Sequence, residues 1–144
     1  MGTEAGNAGI EEKRKNGKEI KTFLGLNVYQ EMLRTAKIIL FEIIPKLPKA
    51  EQFNLADQMR RASKAIPTLI AEGYAKKYQV KGYVKYLTDA IAEANEMIVH
   101  LSFAQEYLRS EHKLIDELIA KYDSARKQIF KLKKNWDSLD KRRY

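Results

Sequence analysis

Apolar residues recur at three- and four-residue spacing along most of the chain, the period of a helix that buries one face. Val28, Met32, Ala36, Ile39, Leu40 and Ile43 form the first stripe and predict a helix from about Asn27 to Ile44. Asn27 is placed to cap it. Pro45 and Pro48 end it, because the residue before a proline is pushed out of the α region. A second helix is predicted from Glu51 or Asn54 to Lys77, with Met59, Ala62, Ile66, Leu69, Ile70 and Gly73 on one face. A third starts after KYQVKG, near Gly82, and runs to about Leu108. Its core face is Leu87, Ala90, Ile91, Ala94, Met97, Ile98, Leu101, Ala104 and Leu108. Ser110 is a candidate N-cap for a fourth, with Glu111 in its first turn. The fourth stripe runs from Leu114 through Ile115, Leu118, Ile119, Tyr122, Ala125, Ile129 and Leu132 to Trp136. No segment alternates with the period of a strand, and no internal repeat is visible. Four long amphipathic helices with short connections predict an all-α fold, an antiparallel up-down-up-down four-helix bundle.

The second helix carries the densest pattern, RRASKAIPTLIAEGY over 60–74. Pro67 lacks an N–H and crowds the carbonyl four residues back, so a kink is expected there. Gly73 has no Cβ, so it either admits a neighbouring helix closely or begins the helix end. Arg60 and Lys64 stand four apart on another face and form a phosphate-spaced ridge if they meet solvent. Arg61 sits one position round, where it either points inward to pair with Glu72 or Glu96 or joins that ridge. A buried pair there would fix register between helices more than add stability.

Composition narrows the class. At 144 residues one domain is the default. Residues 1–21 are polar and basic and are expected to be a disordered tail, since they cannot bury enough surface to offset ordering entropy. The bundle is expected over 22–140, with 141–144 frayed. The chain has no cysteine, which excludes disulfides, thiolate metal sites and a Cys nucleophile, and suits a reducing cytoplasm. No apolar run approaches the roughly 20 residues of a membrane span. The formal charge of +8 favours an anionic partner. Its distribution says more. Residues 53–88 carry net +5, residues 89–117 net −5, and residues 121–144 net +6.

Catalytic chemistry finds little support. Glu96 and His100 are four apart and could touch, but a di-iron bundle needs Glu-x-x-His twice with two further glutamates. There is no phosphate-binding Gly-rich loop and no nucleophilic set in recognisable context. The expectation is a protein without enzymatic activity, metal or cofactor.

The cations form two further groups. Lys127, Lys131 and Lys134 follow Asp123 at spacings of four, four and three, with Arg126 and Lys133 beside them. They read as a phosphate-binding stripe or as a solvated helix face. In the turn between helices two and three, Tyr74, Tyr78, Tyr83 and Tyr86 interleave with Lys76, Lys77, Lys81 and Lys85. Rings that stack on bases and lysines that meet phosphates bind single-stranded nucleic acid in this way. Tyrosine is also enriched at protein interfaces, so a subunit contact explains the same residues. Phe23 and Leu24, ahead of the first helix, are apolar enough to dock on the bundle or on a neighbouring subunit.

The pattern Arg60, Arg61, Ala62, then Ile66, Pro67, then Ile70, Ala71, Glu72, Gly73 resembles that of the 23S ribosomal RNA intervening-sequence proteins. FLGLNVYQ before the first helix, Pro48, and Tyr86 to Ala90 with Glu96 support the likeness, which covers about residues 22–136. Two positions depart from the family pattern. Thr68 and Leu69 replace its polar pair, and Ala92 and Glu93 replace its Gly-Ser. The resemblance implies a four-helix bundle without catalytic activity, from genes often lying in insertions within ribosomal RNA genes. It also implies similarity to accessory proteins of diversity-generating retroelements, which form pentamers and bind a reverse transcriptase and nucleic acid. The resulting expectation is a cytoplasmic homo-oligomer, a pentamer by resemblance, that binds RNA through its basic faces. The alternative is an adaptor that binds a reverse transcriptase.

Overall fold

The computed structural model describes residues 22–143, and the tail expected over 1–21 lies outside them. Four helices make up the fold: α1 (Asn27–Ile38), α2 (Leu55–Ala75), α3 (Val80–Tyr107) and α4 (His112–Arg143). No strand occurs among the described residues. The predicted stripes form one core. Met32, Ile39, Met59, Ile66, Ile70, Leu87, Met97, Leu101, Ile129 and Trp136 are fully buried in it. Leu40, Leu69, Ile91, Ile98, Leu114 and Ile119 are half-buried at its margins.

Ion pairs, hydrogen bonds and packing contacts tie the helices to one another. Arg61 of α2 meets Glu93 and Glu96 of α3, while Gly73 meets Leu87. Gln105 of α3 reaches Asp116 of α4, while Tyr83 reaches Asp137. Glu31 of α1 pairs with Lys121 of α4, and Lys46 pairs with Glu111. A Cβ on Gly73 would lie 3.1 Å from Leu87 Cδ2. Gly73 therefore acts by letting α3 approach, and α2 continues past it to Ala75.

The helix ends depart from the sequence reading in instructive ways. Asn27 is the first residue of α1, and the capping position falls to Leu26, whose side chain is buried. The expected run to Ile44 changes character after Ile38. Residues Ile39–Ile43 are π-helical, with the Ile44 N–H bonded to the Ile39 carbonyl, and a 3₁₀ turn follows over Ile44–Lys46. Pro45 explains this, because it offers no N–H to the turn before it and the ladder must widen to keep its bonds. The Gln52 amide then donates to the Ile44 and Leu47 carbonyls at 3.0 and 2.9 Å. At the start of α2, Glu51 accepts the Leu55 N–H with one carboxylate oxygen and the Tyr107 hydroxyl with the other. Ser110 does not cap α4. It lies in a 3₁₀ turn over Arg109–Glu111, and α4 starts at His112. α2 is continuous across Pro67. α4 runs to Arg143.

Candidate nucleic-acid interface

One end of the bundle is built around Trp136. Its buried indole meets Tyr74 and Tyr83 edge-on, with ring centroids 5.9 and 5.7 Å apart. Such edge-to-face pairs add about 0.5–1.5 kcal/mol each beyond area burial. The Tyr83 hydroxyl donates to the Asp137 carboxylate. The turn between α2 and α3 is thereby anchored on α4. Lys131, Lys133 and Lys134 lie within about two helical turns of that anchor. Lys76, Lys77, Lys81 and Lys85 of the first basic block and Lys131, Lys133 and Lys134 of the second lie towards this end, whereas Arg60, Arg61 and Lys64 do not.

The cations differ in how far they are committed. Lys76 and Lys81 are exposed and have no carboxylate partner among the described residues. The Lys76 stem crosses Gly82, where a Cβ would stand only 2.9 Å from it. Lys77 lies over the Tyr74 ring, 4.0 Å from its centroid, and 5.3 Å from that of Tyr78. Lys85 pairs with Asp89 at 2.9 Å, which raises its pKa and spends its charge within the molecule. Lys127 and Arg126 both hold Asp123, and their hydrogen bonds keep its carboxyl below the usual range. Lys131 is exposed, Lys133 half-buried, and Lys134 sits 5.9 Å from the Phe130 ring centroid.

Arg60 does not stand free beside Lys64. Its guanidinium bonds the Gln52 carbonyl and side-chain oxygen and pairs with Asp57, which ties it to the exit of α1. Lys64, one turn further along α2, is exposed and lines the groove between α1 and α2. Arg61 pairs with Glu96 and with Glu93, each at 2.9 Å, and not with Glu72. Its side chain is 57% exposed, so this is a surface staple between α2 and α3 rather than a buried pair. Glu72 instead lines a shallow acidic groove of about 450 Å³ with Asp89, Glu93 and Glu96.

The tyrosines and the leading apolar residues also separate. Tyr83 is fully buried and presents no surface to a second subunit, because its ring fills the space beside Trp136. Tyr74 and Tyr86 are half-buried and Tyr78 is exposed. Phe23 packs edge-on against Tyr29 at 4.8 Å, and Leu24 is exposed. Reading Trp136 as one more core residue missed its role as the anchor that holds the lysine-bearing α2–α3 turn on α4. Its place between the lysine run and Asp137 is the signal for it. Among the described residues, no three His, Asp or Glu side chains are grouped to hold a metal ion. No helix among them is long and apolar enough to cross a membrane.

Comparison with known proteins adds one finding. The family model of the 23S rRNA-intervening sequence protein matches residues 25–131. No curated protein and no solved structure matches the chain.

Proposed function

Because this chain belongs to the 23S rRNA-intervening sequence protein family, we propose that it is a non-enzymatic, self-associating bundle that binds nucleic acid, RNA first, at its basic and tyrosine-bearing end. The observation that carries this reading is the anchoring of the lysine-bearing α2–α3 turn on α4 at Trp136, within about two helical turns of Lys131, Lys133 and Lys134. Lys76, Lys81 and Lys131 are the cations there best placed to meet phosphates, each exposed and without an internal carboxylate partner among the described residues. Tyr78 offers an exposed ring on which a base can stack. Each phosphate that these lysines neutralise releases counterions, which drives association at low salt. Copies of this end in one assembly would multiply a weak single-site affinity. A pentamer is the stoichiometry we propose from the family resemblance, and the cytoplasm is the proposed compartment.

The test is fluorescence anisotropy with a short single-stranded RNA. Replacing Lys76, Lys81 and Lys131 with Gln should weaken binding at low salt by about tenfold or more and flatten its salt dependence. Replacing Lys127, Lys131 and Lys134 should cost less, because Lys127 is already held by Asp123. Unchanged affinity in the first variant would remove the basic end as the site. No RNA binding by the unmodified protein at low salt would instead favour the adaptor reading, in which this end meets a reverse transcriptase.

A further inference from the structure

Two surfaces of matching length, each centred on apolar side chains, lie on different sides of the bundle, and neither is covered by another element among the described residues. The first is a groove of about 530 Å³ between α1 and α2, floored by Leu33, Leu40 and Pro67 and edged by Phe41. Phe41 is 75% exposed. From Tyr29 to Phe41 the groove runs about 18 Å at 1.5 Å per residue. The second is a ridge on the outward face of α3. Ala92, Asn95, Val99 and Phe103 follow one another there at three- and four-residue spacing, opposite the buried stripe. Val99 is 53% exposed and Phe103 61%. Ala92 to Phe103 spans about 17 Å.

Charge tells which surface suits which. The groove rim carries Lys37 and Lys64, both exposed and without a carboxylate partner among the described residues. Beside Val99 and Phe103 stand Glu106 and Glu96, the latter already paired with Arg61. Glu106 is largely exposed, with only a long 3.4 Å contact to the equally exposed Arg109. A basic-rimmed groove fits an acid-flanked ridge and repels a second basic-rimmed groove.

We infer that the α3 ridge of one copy, centred on Val99 and Phe103, seats in the α1–α2 groove of the next copy, with Glu106 facing Lys37 or Lys64. The inference deepens the self-association reading above and rests on it. A ridge and a groove at different places on one molecule make a heterologous contact, which closes into a ring when the rotation permits and otherwise extends. Seating the ridge removes two large exposed aromatic rings from water, each a substantial apolar area.

The test uses light scattering on three full-length proteins. The ridge variant is Val99→Asp with Phe103→Asp, and the groove variant is Phe41→Asp with Lys64→Glu. All four positions are exposed, and circular dichroism checks that each variant keeps its helices. The expected result is a multimer for the unmodified chain and a monomer for each variant alone. An equimolar mixture should then give a 1:1 dimer and nothing larger, because only one intact ridge and one intact groove remain. If a double variant loses helicity, Phe103→Gln and Lys64→Glu, each alone, read the same loss of mass. A multimer whose mass neither variant changes would overturn this interface and leave self-association standing. Two monomeric variants that stay monomeric on mixing would overturn the pairing of ridge with groove. A monomeric unmodified chain would overturn self-association itself.

Discussion

His100 is the histidine whose surroundings disfavour its charged form. Its side chain is 13% exposed on α3, its Nε2 4.0 Å from a Glu96 oxygen and without a hydrogen-bond partner among the described residues. Burial lowers its pKa below the ordinary 6.5, and Arg61 lowers it further, against the opposing pull of Glu96 and Glu93. The unfolded chain therefore takes up a proton at His100 before the folded one does. Stability at this site is complete above pH 6.5 and falls as the pH drops below it towards the folded pKa. Thermal unfolding followed from about pH 7.5 to about pH 5.5 should show a falling midpoint that His100→Gln makes shallower. An equal slope in both proteins would show that His100 is not desolvated as described. The four-residue spacing of Glu96 and His100 made their proximity legible in the sequence. The burial that sets the direction of the shift was not, because it depends on how α2 covers α3.

At the level of elements, the period of the apolar residues located all four helices and most of their buried faces. The ends were less legible, because they depend on bonds between residues whose roles no period marks. Gln52 is an ordinary polar residue in the sequence, yet it closes the exit of α1 and holds Arg60. Arg60 consequently belongs to the framework rather than to a phosphate ridge. Gly73 is an intermediate case, since the absence of a side chain in an apolar stripe suggested either a close approach or the start of the helix end, and the structure shows the first. The 3.1 Å separation from Leu87 makes it testable. Gly73→Val should destabilise the protein by about 1–3 kcal/mol through overpacking, measured by urea unfolding. A variant as stable as the original would mean that α3 moves aside freely at this point.

For the whole molecule, charge arrangement matters more than net charge. The blocks of +5, −5 and +6 are visible along the sequence, but the meeting of their Lys76–Lys85 and Lys131–Lys134 segments at one end is a product of topology. The chain returns along α4 beside the α2–α3 turn, and Trp136 locks that return. Local pairing then decides which cations remain for a partner. Lys85, Lys127, Arg126 and Arg60 are occupied within the molecule, whereas Lys76, Lys81 and Lys131 are not matched by any carboxylate among the described residues. The exposed ridge on α3 was also hidden at first reading, because Val99 and Phe103 lie among the apolar residues of a helix whose other side is core.

The most direct measurement is the association constant for a short single-stranded RNA, followed from about 50 mM to about 300 mM KCl. If three or more phosphates meet the basic end, the logarithm of that constant should fall linearly with the logarithm of salt concentration, with a slope of about −2 or steeper. A constant that does not change with salt, or no binding at about 50 mM, would contradict the claim that this end of the bundle is a nucleic-acid interface.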